Sequence, residues 1–459
     1  MNPVTAALAD AEPAVFWLAD PAAPQECPPL RRNIRCSIAV VGGGYTGLWT
    51  ALRAKERDPR ADVVLVEGHR IGWAASGRNG GFCSASLTHG RANGVARFPA
   101  ELAALERLGQ ANLDAMQATV ERYGIDCEWE RTGELAVAVE QWQVDELTDA
   151  AAHGGLLLDT AAVRREVDSP TYLAGLWDKE SCALVHPAKL AWGLRRVCLE
   201  LGVRIYEDTP VRSVRRVGDH VELATRTGRI VADRVVLGTN AFPPLVRRMK
   251  PYIVPVYDYV LMTEPLSAEQ RAAVGWHNRQ GIGDSANQFH YYRLTADDRI
   301  LWGGYDAVYH YGKRVRAAYD QRPETFAMLA AHFFETFPQL AGLRFSHRWG
   351  GAIDTCSRFC AFFGTAYGGH VAYAAGFTGL GVGATRFAAD VMLDLLGGEP
   401  TELTELEMVR SKPLPFPPEP VSYLGIQATR WSLARADRDG GRRNRWLRTL
   451  DRLGMGFDS

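Results

Sequence analysis

Apolar and polar positions change period several times along the chain, and each change predicts an element. Residues 36–41, Cys-Ser-Ile-Ala-Val-Val, form a near-continuous apolar run of strand length that ends at three glycines, as a strand covered on both faces would. Residues 45–57 space their apolar side chains as a helix, and residues 62–66 form a second buried run ending at Glu67. Strand, glycine turn, helix and strand make a β-α-β unit, so a parallel sheet is expected. Leu102, Leu105, Leu108, Leu113 and Met116 predict a helix over about 100–123, and a second helix over 190–201 stops at Gly202. Strands are expected at 203–206, 221–225, 229–231 and 234–237, and short aromatic-rich strands fill 252–305. A helix over 323–334, a strand over 370–374 and a helix over 381–396, stopped by Gly397 and Gly398, complete the pattern.

The totals fit this alternation. A chain of 459 residues exceeds one ordinary core and suits two interleaved units. It is 47% hydrophobic and 23% charged with net charge −1, which gives no global reason to expect nucleic acid. The eight cysteines form no CxxC pair and have no metal spacing, so a reduced, cytoplasmic protein without a metal is expected. The first thirty residues are an extended Pro- and Ala-rich lead-in without a basic signal-peptide start. The longest apolar run is too short and glycine-rich for a membrane span. Beyond Pro400 the chain turns Pro-rich and then Arg-rich, which reads as one or two helices packed on the body; a basic segment touching a membrane is the alternative.

The chemistry begins at Gly42-Gly43-Gly44-Tyr45-Thr46-Gly47, a GxGxxG placed after a strand and opening a helix. Gly42 permits the tight turn, Gly44 lets a pyrophosphate approach the backbone, and Gly47 lets helix and strand pack closely. The free N–H groups around Tyr45 and Thr46 face the phosphates, and Glu67, twenty residues past Gly47, accepts from the adenosine ribose. The polar, glycine-dense loop that follows carries Arg70, Ala75, Ser76, Gly77, Arg78, Asn79, Gly80 and Gly81. Such a loop suits an extended cofactor, its backbone N–H groups reaching a second phosphate or the flavin of FAD, where a nicotinamide enzyme would continue with an ordinary helix.

These residues resemble the glycine/D-amino-acid oxidase (DAO) family of flavoproteins, and "GWAASGRNGG" is closest to its γ-glutamylputrescine oxidase subgroup. Three later segments resemble the family in order and spacing: "VRIYEDTPVRSV", which implies that Val211 meets the adenine; "VVLGTNAF" with Thr239 and Asn240; and "YAAGFTGLGVG" with Gly376, Phe377, Thr378, Gly379, Leu380 and Gly381. The last links a strand to a helix whose positive N-terminal end favours an anionic reduced flavin. The resemblance implies an α/β fold in which a Rossmann-type FAD-binding domain (35–90, 150–250 and 346–400) is interleaved with an antiparallel-sheet α+β substrate domain (91–149 and 251–345), followed by a helical tail (401–459). It implies non-covalent FAD, because no cysteine stands at the family's attachment place near Trp349. Relatives often carry His where Leu380 stands, and the strand that holds an oxygen-activating lysine in sarcosine oxidases has Trp302 at the matching position.

The resemblance sets residues 251–311 over the flavin. Alternation in "QFHYYRL" sends His290 and Tyr292 one way and Phe289, Tyr291 and Arg293 the other. An aromatic wall suits a cation and a buried Arg suits a carboxylate, which makes Arg293, Tyr257, Tyr292, Trp302 and Trp349 candidate substrate-side residues; a core role is the alternative for the aromatics, and pairing with Asp297 or Asp298 in the next turn is the alternative for Arg293. The implied reaction is oxidation of a C–N bond in a small-molecule amine or amino acid, with O2 or another electron acceptor. A dehydrogenase feeding a quinone or protein acceptor, and a non-catalytic flavin-binding subunit, remain as rival expectations.

Overall fold

The computed structural model describes residues 3–455, and the last four residues of the expected tail region lie outside them. An eight-stranded sheet has the path Phe362–Ala366, Val371–Ala375, Arg229–Leu237, Ile34–Val41, Val63–Val66, Arg204–Tyr206. From Val371–Ala375 to Arg204–Tyr206 every neighbour is parallel, and Ile34–Val41 lies between Arg229–Leu237 and Val63–Val66. The expected strands at 229–231 and 234–237 are one continuous strand. Its first half pairs with the antiparallel strand His220–Ala224 and its second half with Val371–Ala375, so the ladder is never interrupted.

Helices Tyr45–Arg57, Pro187–Glu200 and Gly381–Gly397 share one apolar core with this sheet. Arg53 and Arg57 on the first of them pair with Asp390 and Asp394 on the last. Helix Leu102–Arg122, expected in the substrate domain, belongs to this layer instead. Its buried Leu105, Leu113, Met116 and Val120 join the same core, because its apolar stripe meets helix Gly381–Gly397.

A nine-stranded sheet has the path Val308–Tyr309, Val254–Thr263, Ile300–Gly304, His290–Leu294, Gly281–Asp284, Glu134–Ala138, Ala174–Asp178, Leu156–Leu158, with Phe345–Thr355 also paired to Val254–Thr263. Its pairs are antiparallel except Gly281–Asp284 with Glu134–Ala138. Three of its strands, Leu156–Leu158, Ala174–Asp178 and Phe345–Thr355, fall within segments expected in the cofactor domain, so hydrogen bonding moves both boundaries. One face of this sheet packs Tyr259, Leu261, Tyr292 and Trp302 against helix Pro323–Thr336 through Phe326 and Phe333. The other face, with Val260, Met262, Leu301 and Trp349, packs against Trp17 and Ala188. The tail forms helices Val421–Arg438 and Arg445–Arg452, which pack on the body. Among the described residues no helix is long and apolar enough to cross a membrane.

Candidate active site

The cofactor-type residues gather at the carboxyl ends of the parallel strands, where open α/β sheets bind ligands. A Cβ at Gly47 would stand 1.9 Å from the Gly42 carbonyl oxygen, and one at Gly42, where φ is +111°, would stand 2.3 Å from that of Gly238. Helix Tyr45–Arg57 therefore sits as close to its strand as backbone allows. Its N-cap, Gly44, has no side-chain cap, so first-turn N–H groups face outward. The Tyr45 N–H donates to Ser76 Oγ at 2.9 Å.

Glu67 closes the turn. Its carboxylate accepts from the Gly43 N–H at 2.6 Å and the His69 N–H at 2.8 Å. Burial pushes this carboxyl above its usual range, against the pull of those donors. The Glu67 carbonyl accepts from the Thr209 N–H, which brings the segment carrying half-buried Val211 alongside. Glu67→Gln puts an amide N–H2 against one of the two backbone donors. FAD affinity should fall by about 1.5–3 kcal/mol, ten- to a hundredfold, in a titration of apoprotein with FAD; unchanged affinity would remove Glu67 from the site.

The loop after Glu67 is pinned from beneath. Trp349 Nε1 donates to the Arg78 carbonyl at 2.8 Å and Trp17 Nε1 to the Asn79 carbonyl at 2.9 Å. The Arg78 guanidinium reaches Asp320 and the Gly350 carbonyl. The paired glycines have a steric reason: a Cβ at Gly80 would meet the Tyr291 ring at 2.6 Å, and one at Gly81 the Val185 carbonyl oxygen at 2.2 Å and Arg293 Nη1 at 2.7 Å. On the far side, the Asp354 carboxyl accepts from the Gly376 N–H at 2.6 Å and its carbonyl from the Thr378 N–H, which fixes the turn into helix Gly381–Gly397.

A cavity of about 1030 Å³ joins these parts. Tyr45, Thr46, Ala75, Ser76, Arg78, Asn79, Gly80, Asn240, Phe377, Thr378, Gly379, Leu380 and Gly381 line it. Gly42, Gly44, Gly47, Glu67, Gly77, Gly81, Val211, Thr239 and Gly376 stand behind or beside that lining. Arg70 does not join the site; it pairs with Glu26 on the surface.

The substrate-side candidates divide by face. Side chains directly opposite one another across a sheet share a face. Tyr291, Gly303, Val260 and Trp349 form one such row, with Asp258 opposite Gly351 on the same side. Tyr292, Trp302 and Leu261 form the row on the reverse side. Tyr292 and Trp302 are thus core residues under helix Pro323–Thr336, and the Tyr292 hydroxyl pairs with that of Tyr172. Tyr257 contributes to the cavity wall, but its hydroxyl is bonded to the Arg316 backbone. Trp349 and Arg293 lie on the cofactor face below the cavity. Arg293 is fully buried, lies outside the cavity lining and donates to the Val185 and Leu294 carbonyls, so it props the glycine loop and does not face a carboxylate ligand in the cavity.

The wall is made instead by Asp258, Phe289, Tyr291 and Tyr305, and by Ile426, Thr429, Arg430 and Leu433 from the tail. Gly303 within an otherwise apolar strand was the available signal for the correct face, since glycine in a strand marks close approach of a neighbour; here the Tyr291 ring fills its place. The tail carried no comparable signal. Among the lining residues there is no cysteine and no lysine, and all eight cysteines are buried and unpaired.

Burial pushes the Asp354 carboxyl up to about 7 despite its backbone donors. Between about pH 4 and 7 the folded state keeps this proton while the unfolded chain releases it, so stability falls as pH rises through that window. Asp354→Asn should remove that share of the decline in urea titrations at pH 5 and pH 8; an unaltered decline would exclude Asp354 as its source.

The family of FAD dependent oxidoreductases designated DAO matches residues 37–395. Gamma-glutamylputrescine oxidoreductase of Escherichia coli (strain K12) is 33% identical over 387 residues, 81% of this chain and 85% of that protein. A probable oxidoreductase, OrdL, of Haemophilus influenzae is 27% identical over 394 residues, 83% of this chain and 87% of that protein. Among solved structures, L-proline dehydrogenase from P. horikoshii superposes with TM-score 0.66 at 19% identity, over 81% of this chain and 96% of that one. Glycine oxidase from Bacillus cereus gives 0.66 at 18%, over 82% and 99%; at these identities the likeness is one of fold.

Proposed function

From the premise that this chain belongs to the DAO family of FAD-dependent oxidoreductases, acting on an amine or amino acid C–N group, we propose a γ-glutamylputrescine-like amine as substrate and O2 as acceptor, with hydrogen peroxide as product. The observation that carries this reading is one cavity lined both by the glycine turn, the Ser76–Gly80 loop and Phe377–Gly381 and by an aromatic wall that bears a carboxylate. The name of the Escherichia coli relative supports the choice of amine.

The glycine turn, the first turn of helix Tyr45–Arg57 and Glu67 hold the adenosine diphosphate half of FAD. Ser76–Gly80, Asn240 and Phe377–Gly381 hold the flavin half. Bound there, FAD supplies a hydride acceptor for the carbon that bears the nitrogen. Phe289, Tyr291 and Tyr305 exclude water and favour the neutral amine, whose lone pair assists loss of the hydride. That no cysteine lines the cavity supports non-covalent FAD. The free thiols also favour a reducing, cytoplasmic setting.

The test is anaerobic mixing of the purified protein with polyamines, γ-glutamylated amines and amino acids, followed by the flavin absorbance. Bleaching by an amine at turnover-competent rates supports the reading, and bleaching by amino acids alone replaces it. One observation favours a second reading, a dehydrogenase that feeds a quinone or protein acceptor: no lysine lines the cavity to stabilise developing superoxide. Oxidase turnover should accordingly be slow beside that of sarcosine oxidase. Trp302→Phe should leave reoxidation by O2 unchanged, because the ring lies on the reverse face of the sheet. A changed stopped-flow rate would put Trp302 back beside the cofactor.

A further inference from the structure

Asp258 has no assigned role in the cofactor site, yet its setting is unusual. It lies in the middle of strand Val254–Thr263 on the cofactor face, opposite Gly351, whose missing side chain lets the Arg78 side chain lie alongside. It is half-buried and lines the cavity. The Tyr291 hydroxyl donates to Oδ2 at 2.5 Å, and the Tyr259 and Gly304 N–H groups also face the carboxylate. The Tyr291 ring packs against Gly80, Gly303 and Phe82.

The cations nearby are already committed. Arg78 serves Asp320 and the Gly350 carbonyl, while Arg322 and Arg430 share Asp306. Among the described residues no Lys, Arg or His pairs with Asp258. A carboxylate kept in an aromatic enclosure without a counter-ion is costly, and a ligand cation removes that cost.

We propose, building on the amine-oxidising reading above, that Asp258, positioned by Tyr291, is the anion that binds the ammonium form of the substrate, so that the cavity selects alkylamines over equally sized neutral or anionic molecules. Such a substrate enters as its cation and pairs with the carboxylate. Where the bound nitrogen is the one to be oxidised, its proton passes to the carboxylate, leaving a neutral amine and a protonated Asp258. The Arg293 arrangement agrees with this selectivity, since that guanidinium is buried below the cavity and bonded to carbonyls.

The test uses the full-length, FAD-loaded protein and three probes, n-butylamine, 1-butanol and butyrate, read by perturbation of the bound flavin spectrum. At pH 8 the butylammonium ion should bind at least about tenfold more tightly than butanol, a difference of about 1.4 kcal/mol, and butyrate should bind no better than butanol. Asp258→Asn should abolish the preference without changing FAD content, and Tyr291→Phe should reduce it. The preference should also collapse in the wild-type protein below about pH 6, where burial has pushed the Asp258 carboxyl. The titratable groups that act on it are Tyr291, which donates to it, and Asp306, which is held in ion pairs with Arg322 and Arg430; Arg78, on the same cavity, is paired with Asp320. No preference in the wild-type protein, a preference retained by Asp258→Asn, or tighter binding of butyrate overturns the proposal. If Asp258→Asn fails to fold, Tyr291→Phe and the wild-type pH profile decide. Amines that reduce the flavin equally well in Asp258→Asn defeat the anchor and leave the reaction standing. Butylammonium binding through Asp258 without reduction by any amine does the reverse.

Discussion

Gly44→Val protein is expected to purify folded, colourless and free of FAD. Gly44 has φ −82° and ψ −176°, extended backbone that any residue adopts, so the substitution does not strain the turn. What it occupies is the space in front of the helix. A Cβ there would lie 2.8 Å from Ser76 Oγ, the atom that accepts the Tyr45 N–H, and the branched methyls extend toward the exposed first-turn donors where a pyrophosphate must come close. Gly42 and Gly47 are poor tests of the same idea. A side chain at either collides with backbone carbonyl oxygen and separates helix from sheet, which costs folding and cofactor together. The visible flavin band relative to protein absorbance, alongside far-UV circular dichroism, checks the outcome. Wild-type FAD content in a folded Gly44→Val protein would show that the cofactor does not lie on this turn.

Asp306→Asn should loosen the tail and weaken substrate binding without releasing FAD. Asp306 is 6% exposed. One carboxylate oxygen accepts from Arg322 and from Thr325 Oγ1, and the other from Arg430 on helix Val421–Arg438. The amide carries no charge and points N–H2 at one of two guanidinium groups. Removing one partner of a buried pair costs roughly 3–5 kcal/mol; both arginines keep some contact with solvent, so about 2–3 kcal/mol is the better expectation. The loss falls on the tail, because Arg430 is one of its anchors and Asp437, which holds the Asn287 and Gln288 N–H groups, is another. Since Ile426, Thr429 and Leu433 form part of the cavity wall, KM should rise more than kcat falls. Limited proteolysis should cut the tail sooner and urea should unfold the protein earlier. Wild-type proteolysis together with wild-type KM would show that the tail does not depend on this ion pair.

These two expectations differ in how far the sequence alone reaches. The glycine turn, its helix and Glu67 were legible because several contacts that explain them lie within about thirty residues, Gly47 against Gly42 and Glu67 against Gly43 and His69, although Gly42 also abuts the distant Gly238. The same holds for the turn at Gly376 and the helix after it. Close backbone approach leaves a mark in composition, since only glycine fits. The Arg430 anchor left no such mark, because Asp306 is 124 residues away and an Arg-rich helix looks the same whether it meets solvent or a carboxylate.

The strand His290–Leu294 shows the limit most clearly. Its period of two separates Tyr291 from Tyr292 onto opposite faces, and the sequence determined that much. Which face meets the cofactor is set by what packs on each side. Helix Pro323–Thr336 covers Tyr292 and Trp302, while the Gly80–Gly81 loop lies on Tyr291 and Arg293. Both coverings come from distant parts of the chain, and both faces are aromatic and buried, so hydrophobicity could not rank them. The sequence by itself therefore determined the glycine turn, its helix and the acid after the next strand, because close backbone approach admits only glycine whichever part of the chain supplies the neighbour. Tertiary structure decided the substrate side: it turned Tyr292 and Trp302 into core, buried Arg293 as a prop, and brought Asp258, Tyr291 and the tail to one cavity.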